Sequence, residues 1–316
     1  MNGRVLVTGG AGFIGSHLAA EYQRAGWDVT VLDDLSRGRE SNVPRGIPLV
    51  KANVGSPEAR KTVAEGRFDV LNLQAAQIDV RVSVQHPDVD AQTNLMGLLN
   101  MLEGAAAGKV RRVVFASSGG VVYGDPDVLP TPETAPKMPI SPYGVSKLSG
   151  EHYLRALAGL RGFECVAMRY ANVFGPRQDP KSEAGVVSIF ISYLLEAKSL
   201  TVFGDGKQTR DYVFVKDVAR ANVAASGAKL PPVKDHDDIA FNVATGTQTS
   251  VLELAAAVGE VMNQKPKIDL APARPGELQR SSLDVSRARG VLGWSPQVSF
   301  HDGLRETVEW FRGGAR

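Results

Sequence analysis

The chain is 316 residues long, and with 43% hydrophobic and 22% charged residues it has ample material for a packed core and is far from a disordered composition. Lys plus Arg number 36 against 34 for Asp plus Glu, a net charge of +2, which excludes a nucleic-acid binder that works by bulk charge. A single cysteine excludes an intramolecular disulfide and a cysteine metal cage, and the longest apolar stretch, Val186 to Leu195, is half of the ~20 residues needed to span a membrane.

Arg4-Val5-Leu6-Val7 already reads as a strand, which leaves no room for a signal peptide and predicts a soluble, cytoplasmic protein. A Gly-rich turn and a helical pattern to about Ala25 follow. Val29 to Leu32 is a second strand that ends in acids. Further strands are predicted near Pro48 to Val50 and at Phe68 to Leu73. A long helical pattern covers Asp90 to Ala107, and Arg112 to Ala116 is a fifth strand. A helix from Tyr143 to about Leu160 precedes a sixth strand, Glu164 to Met168. This alternation predicts an α/β fold: a Rossmann-type, doubly wound parallel sheet. After about Asn172 the regularity weakens. Helical patterns at Val186 to Ala197, Val251 to Met262 and Gly303 to Phe311 mix with isolated strands. Residues 172–316 therefore read as a smaller α/β lobe interleaved with the first domain, residues 1–171, which can borrow later strands around 208–245. The prolines from Pro126 to Pro142 mark a functional loop, and Pro231 to Asp238 an exposed one.

Thr8-Gly9-Gly10-Ala11-Gly12-Phe13-Ile14-Gly15 follows the first strand directly and opens a helix. Glycine triplets arise by accident in a chain with 33 glycines, so the context carries the argument. In that context Gly9, Gly12 and Gly15 permit a tight turn and a close approach by a pyrophosphate. The helix start at Phe13 and Ile14 supplies N–H donors and a positive dipole. Asp33 ends the second strand, where an acid accepts from a ribose hydroxyl and repels a 2′-phosphate. That favours NAD over NADP, with the neighbouring Asp34 as the alternative acceptor. Residues 1–171 are thus expected to form an NAD-binding domain.

Tyr143 and Lys147 form a Y-x-x-x-K pair behind Ser141 and Pro142, which suit a helix cap and first turn. One helical turn apart, a lysine ammonium stabilises a phenolate and lowers the tyrosine pKa toward that of a general base. Tyr212 and Lys216 share the spacing but lie in a strand-like stretch, where they could not couple as closely. Ser117 and Ser118 end the fifth strand at the sheet edge where open α/β folds bind ligands, and either could relay a substrate proton.

Together these features resemble the extended short-chain dehydrogenase/reductase family, and within it the UDP-sugar 4-epimerases. Thr8 to Gly15, Asp33 to Ser36, Ala116 to Ser118 with Tyr123-Gly124, and Ser141 to Lys147 match the family's segments in order. So do Arg169 to Arg177, Phe203 to Tyr212 and Arg274 to Glu277. The resemblance implies Tyr143 as base, Lys147 as its electrostatic partner and nicotinamide-ribose ligand, and Ser118 as proton relay. It implies Asn172, Arg210 and Arg274 as UDP ligands, Glu277 as the uridine-ribose ligand, and a homodimer built on two helices, with Asp90–Ala107 and Tyr143–Leu160 as the candidates.

The chain departs from the family at Leu73, where a histidine is frequent, and in one extra residue between the serines and Tyr123, which leaves Ser117 open as the relay. Gly119 and Gly120 stand where dehydratase and decarboxylase relatives carry an acid, so those activities rank below epimerisation. The expected reaction is NAD-dependent 4-epimerisation of a UDP-hexose through a 4-keto sugar. In these epimerases the position of Ser281 borders the sugar pocket. A small residue there admits an N-acetyl group, so UDP-N-acetylglucosamine stands beside UDP-glucose as a candidate. A decarboxylase or dehydratase of the family, or a non-catalytic NAD-binding scaffold, is the alternative. Five histidines without ligand spacing predict no metal, and Cys165 reads as core.

Overall fold

Strand β1 (Arg4–Thr8) carries Val5, Leu6 and Val7 in a row, and each is fully buried. Side chains alternate across a strand, so an unbroken apolar run is buried only where both faces of a sheet are covered. Val5 and Val7 enter the core on one face and Leu6 the core on the other. The structure, a computed structural model, describes residues 2–180, 185–273 and 278–314.

After β1 come α1 (Phe13–Arg24), β2 (Asp28–Asp33), β3 (Leu49–Lys51), α2 (Pro57–Glu65) and β4 (Val70–Leu73). Then follow α3 (Val80–Gln85), α4 (Pro87–Ala91), α5 (Gly97–Ala107), β5 (Arg112–Ser118), α6 (Gly119–Val122), α7 (Pro142–Arg161) and β6 (Glu164–Tyr170). The remainder holds β7 (Asn172–Phe174), α8 (Val186–Leu195), β8 (Leu200–Phe203), β9 (Thr209–Arg210), β10 (Tyr212–Phe214) and α9 (Val215–Gly227). It ends with β11 (Ala240–Val243), β12 (Thr249–Ser250), α10 (Val251–Met262), β13 (Ile268–Ala271), α11 (Ser286–Leu292) and α12 (Phe300–Arg312).

Seven strands form one sheet in the order β11-β6-β5-β4-β1-β2-β3, and every neighbouring pair is parallel. The winding direction reverses between β1 and β4, which opens a crevice at the carboxyl ends of those strands. Helices α1, α9 and α11 cover one face and α2, α5 and α7 the other. A third core gathers α8, α10 and α12 over β8 and β10. The outer strand β11 is drawn from beyond residue 172 and pairs with β6 from Ala240–Ala167 to Val243–Tyr170.

Three expectations need correction. The helical pattern from Asp90 to Ala107 is broken by a π-helical turn, Gln92–Met96, a wide turn that buries Asn94 and of a kind frequent at functional sites. The stretch read as an exposed loop from Pro231 to Asp238 is exposed as far as Asp235, but its end docks: His236–Ile239 is a 3₁₀ helix, and Asp237 pairs with Lys137 at 2.5 Å and with Arg169 at 3.3 Å. The strand read across Tyr212 to Lys216 stops at Phe214, and Lys216 lies in the first turn of α9, paired with Glu306 at 2.6 Å. Among the described residues no helix is long and apolar enough to cross a membrane.

Candidate active site

The Gly-rich turn is built so tightly that side chains would break it. A Cβ on Gly15 would lie 2.1 Å from the Gly9 carbonyl oxygen, and one on Gly9, itself at φ +65°, would lie 2.8 Å from the Ala75 nitrogen. The turn is therefore pressed between the start of α1 and the segment after β4, with Thr8 Oγ1 accepting from the N–H groups of Gln74 (3.1 Å) and Ala75 (3.2 Å). No side chain caps α1, and its first turn holds no acid. Gly9, Gly12, Phe13 and Ile14 keep partial exposure. An uncapped helix start behind a glycine cradle suits the diphosphate of a dinucleotide.

The structure separates the two candidate acids. Asp33 is buried and accepts from the N–H of Ala11 at 2.9 Å and of Leu35 at 2.8 Å, so it faces the glycine turn. Burial holds its carboxyl above the usual carboxylate range despite those donors. Asp34 is exposed and turned into its own loop, where it accepts from Ser36 Oγ (2.6 Å) and Asn53 Nδ2 (2.7 Å). Partial burial opposes its ionisation, but the Ser36 and Asn53 donors outweigh this and hold it low.

Ser141 caps α7 by accepting from the Gly144 N–H at 3.2 Å, and Pro142 occupies the first turn. On that helix Lys147 Nζ sits 5.6 Å from the centre of the half-buried Tyr143 ring and donates to the Ala116 carbonyl at 2.8 Å. The Tyr143 N–H donates to Ser83 Oγ at 3.2 Å. The expected lowering of the Tyr143 pKa does not hold in the protein by itself. Burial pushes the phenol above its usual value, and the nearby Asp90 charge adds to the effect. Burial also pulls Lys147 down to about 8, against the opposing pull of Asp90 and Glu151. Lys147 lines one cleft with Thr8, Leu73, Ala75, Asn94 and Phe115, so α7 and the end of β1, where the glycine turn begins, border the same cleft.

The two serines part company at the strand end. Ser117 is buried and donates to Glu151 Oε1. Ser118 is half-buried at the cap position of α6, and a Cβ on Gly120 would meet only Ser118 Oγ within 4 Å, at 3.8 Å. Space beside Ser118 is thus open. At Gly119 it is tighter: a Cβ would come within 2.4 Å of the Leu283 side chain, so any larger residue there must displace that buried leucine.

Asn172 and Arg210 are each half-buried, on β7 and β9, and a buried acid, Asp211, joins their neighbourhoods. The Asp211 carbonyl accepts from the Asn172 N–H at 2.9 Å. Its carboxylate accepts from Thr245 N (2.8 Å), Gly246 N (2.8 Å) and Leu283 N (3.3 Å). Ser281 is buried in the same returning segment, which bonds Thr209 N to Gln279 O at 2.9 Å. Arg274 and Glu277 lie outside the described residues. Sequence reasoning missed Asp90, Asn94, Glu151 and Asp211. Acids at buried helix positions are the one signal that could have flagged the first and third, since a lone buried carboxylate is costly. No group of His, Cys, Asp and Glu among the described residues could hold a metal ion.

Residues 5–244 match the NAD dependent epimerase/dehydratase family. A UDP-glucose 4-epimerase of Mycolicibacterium smegmatis is 44% identical over 98% of both chains. The UDP-glucose 4-epimerase of Thermus thermophilus, solved in complex with NAD, superposes with a TM-score of 0.91 at 41% identity, over 99% of this chain and all of that one. A UDP-N-acetylglucosamine 4-epimerase from Methanobrevibacter ruminantium, solved with UDP-N-acetylmuramic acid, gives a TM-score of 0.91 at 32% identity over 98% of both chains.

Proposed function

The chain belongs to the NAD dependent epimerase/dehydratase family, and from that premise we propose that it interconverts UDP-hexoses epimeric at C4, with NAD as cofactor, through a 4-keto sugar. The observation that supports this reading is the placement of Lys147, 5.6 Å from the Tyr143 ring and 2.8 Å from the Ala116 carbonyl of the serine strand, in a cleft that Thr8 at the head of the glycine turn also lines. The glycine turn with Phe13 and Ile14 would hold the NAD diphosphate, and Asp33, rather than Asp34, the adenosine ribose. NAD supplies a hydride acceptor that returns the hydride to the sugar, so no net redox change results.

The chain's own residues handle the proton. Tyr143 takes the sugar O4 proton, with Ser118 bridging hydroxyl and phenol. Lys147, fixed by the Ala116 carbonyl at 2.8 Å, supplies the positive charge that offsets the burial of the forming phenolate. Asn172 and Arg210 hold the UDP, aided by Arg274 and Glu277, and a guanidinium fork suits a diphosphate better than an ammonium does. Ser281 is the small residue that leaves space for an N-acetyl group, so we read UDP-N-acetylglucosamine as a substrate beside UDP-glucose. The NAD half is residues 1–171 with β11 added, and the remainder is mainly the nucleotide-sugar half. A homodimer through α4, α5 and α7 and a cytoplasmic setting complete the reading; the lone Cys165, buried and unpaired, suits a reducing compartment.

Incubating the pure protein separately with UDP-glucose and UDP-N-acetylglucosamine and resolving the 4-epimers tests the proposal. Epimer formation without net NADH is expected. Stoichiometric NADH accumulation, or no epimer from either sugar, overturns it.

A further inference from the structure

Tyr143, Lys147 and Glu151 recur every fourth residue along α7 and so share one face of it. Two successive residues of β5 meet two successive turns of that face: Lys147 Nζ donates to the Ala116 carbonyl at 2.8 Å, and Ser117 Oγ donates to Glu151 Oε1. The next strand residue is Ser118, half-buried at the carboxyl end of β5. The distance between Ser118 and the Tyr143–Lys147 pair is therefore set by these two rungs.

The second rung rests on a fully buried charge. Glu151 and Arg169 are both 0% exposed, and Arg169 grips the carboxylate through Nε at 3.0 Å and Nη2 at 2.6 Å. Arg169 Nη1 is held by Tyr123 OH (3.0 Å) and the Glu133 carbonyl (2.9 Å). His236 Nε2 lies 3.2 Å from Glu151 Oε2, the oxygen that Arg169 Nη2 also holds, and the His236 ring stacks on His152 at 3.9 Å. Buried ion pairs are poor sources of stability because desolvation offsets most of the Coulomb gain. Such a pair, one turn from Lys147, points to a use other than stability.

We propose that Glu151 is a positioning residue for the Tyr143–Lys147 pair, locking α7 to the serine strand and keeping the Lys147 ammonium charged. The inference rests on the proposed roles of Tyr143 and Lys147. The charged and titratable groups around Lys147 are Tyr143 and Glu151 on α7 and Asp90 on α4. Asp90 is the stronger of the two acids acting on the ammonium, and it is itself held by Ser146 Oγ (2.5 Å), Asn94 Nδ2 (2.9 Å) and Gln77 Nε2 (3.1 Å). Beyond Glu151 stand Arg169 and His236, which keep it ionised. Removing the Glu151 charge leaves Asp90 alone to oppose the desolvation of Lys147, so the ammonium loses its proton at lower pH.

The test is the pH profile of kcat for three variants of the holoenzyme. Glu151→Gln removes the charge and keeps an acceptor for Ser117. Because it leaves Arg169 buried without a counter-charge, Glu151→Gln with Arg169→Met is made alongside, removing both charges. Ser117→Ala removes the rung and keeps the charge. The alkaline limb of kcat should move down by about one pH unit in Glu151→Gln, and less in the double variant, since the repulsion from Arg169 leaves with it. Ser117→Ala should lower kcat with the limb in place. A uniform loss at every pH, with the limb unmoved in both charge variants, overturns the proposal and leaves Glu151 a structural residue. Tyr143→Phe separates the two readings: if it keeps turnover the base assignment fails, whereas if it loses turnover while the limb of both Glu151 variants stays unmoved, only this inference fails.

Discussion

Burial acts on Tyr143 and Lys147 in the same sense: it favours the neutral form of each. The phenol is pushed up and the ammonium pulled down to about 8, so a phenolate–ammonium pair forms only with help from charges placed around it. Tyr143→Phe removes the proton acceptor and keeps the ring. Turnover should fall by at least about 10²-fold while NAD and UDP-sugar binding persist; near-normal epimerisation by that variant would exclude Tyr143 as the base. Ser281 is a second residue-scale question. It is buried beside Ser282 and Leu283, so Ser281→Tyr must push its ring toward the space proposed for the sugar. Activity on UDP-N-acetylglucosamine should drop with UDP-glucose activity largely retained. Unchanged N-acetyl turnover would place the selectivity elsewhere. Comparing the two initial rates decides it.

At the scale of elements, α1 serves both lobes. Its first turn faces the crevice, while His17 Nε2 contacts the Pro176 carbonyl at 3.0 Å and Ser16 Oγ accepts from Arg177 at 3.0 Å. The segment after β7, close to the proposed UDP ligand Asn172, is thereby clasped to the cofactor helix. Burial drives the His17 pKa down to about 4. Below its unfolded value near 6.5 the unfolded chain binds a proton that the folded chain refuses, so stability is full above that pH and falls as pH drops toward 4. Near pH 5 the loss from this group should approach ~2 kcal/mol. Urea unfolding near pH 7 and near pH 5 should show His17→Gln losing less stability than the wild type; parallel losses would rule out His17 as the source. The glycine turn belongs to the same element. Gly15→Ala puts a methyl 2.1 Å from the Gly9 oxygen, so the turn must open, and NAD retention on gel filtration should fall sharply.

At the scale of the whole molecule, exposed apolar side chains among the described residues include several on the paired helices α4–α5 and α7. Val89 (47% exposed) and Met96 (52%) lie seven residues apart on the α4–α5 stretch, and Tyr153 (45%) and Leu160 (79%) lie seven apart on α7, which packs against it. Exposed side chains of this size on two neighbouring helices would suit a second copy packing helix to helix. Sedimentation should show a dimer that Met96→Glu with Tyr153→Glu converts to a monomer. A wild-type monomer would remove the homodimer from the reading.

Much of this molecule was legible one segment at a time. Strands β1, β2 and β5, the glycine turn and the whole of α7 with its Ser141 cap follow from periodicity and short-range spacing, which depend on neighbours within a turn or a strand. The family resemblance rests on the same local segments. Other features depended on residues far apart in the chain. Asp33 and Asp34 are adjacent and chemically alike; only the approach of Ala11 to the strand end tells them apart. Ser117 and Ser118 are equivalent in sequence, and the Glu151–Arg169 pair, from α7 and β6, takes Ser117 inward. The π-helical turn at Gln92–Met96 and the buried Asp90 are silent in a helical pattern, since burial of a carboxylate is decided by which donors arrive from other elements. The seventh strand, β11, is the same case at larger scale. Its four residues, Ala240 to Val243, are too short to name their neighbour in sequence, and the tertiary fold sets them against β6, with the buried Asn242 held by Tyr123, Thr131 and Glu133 from a distant segment.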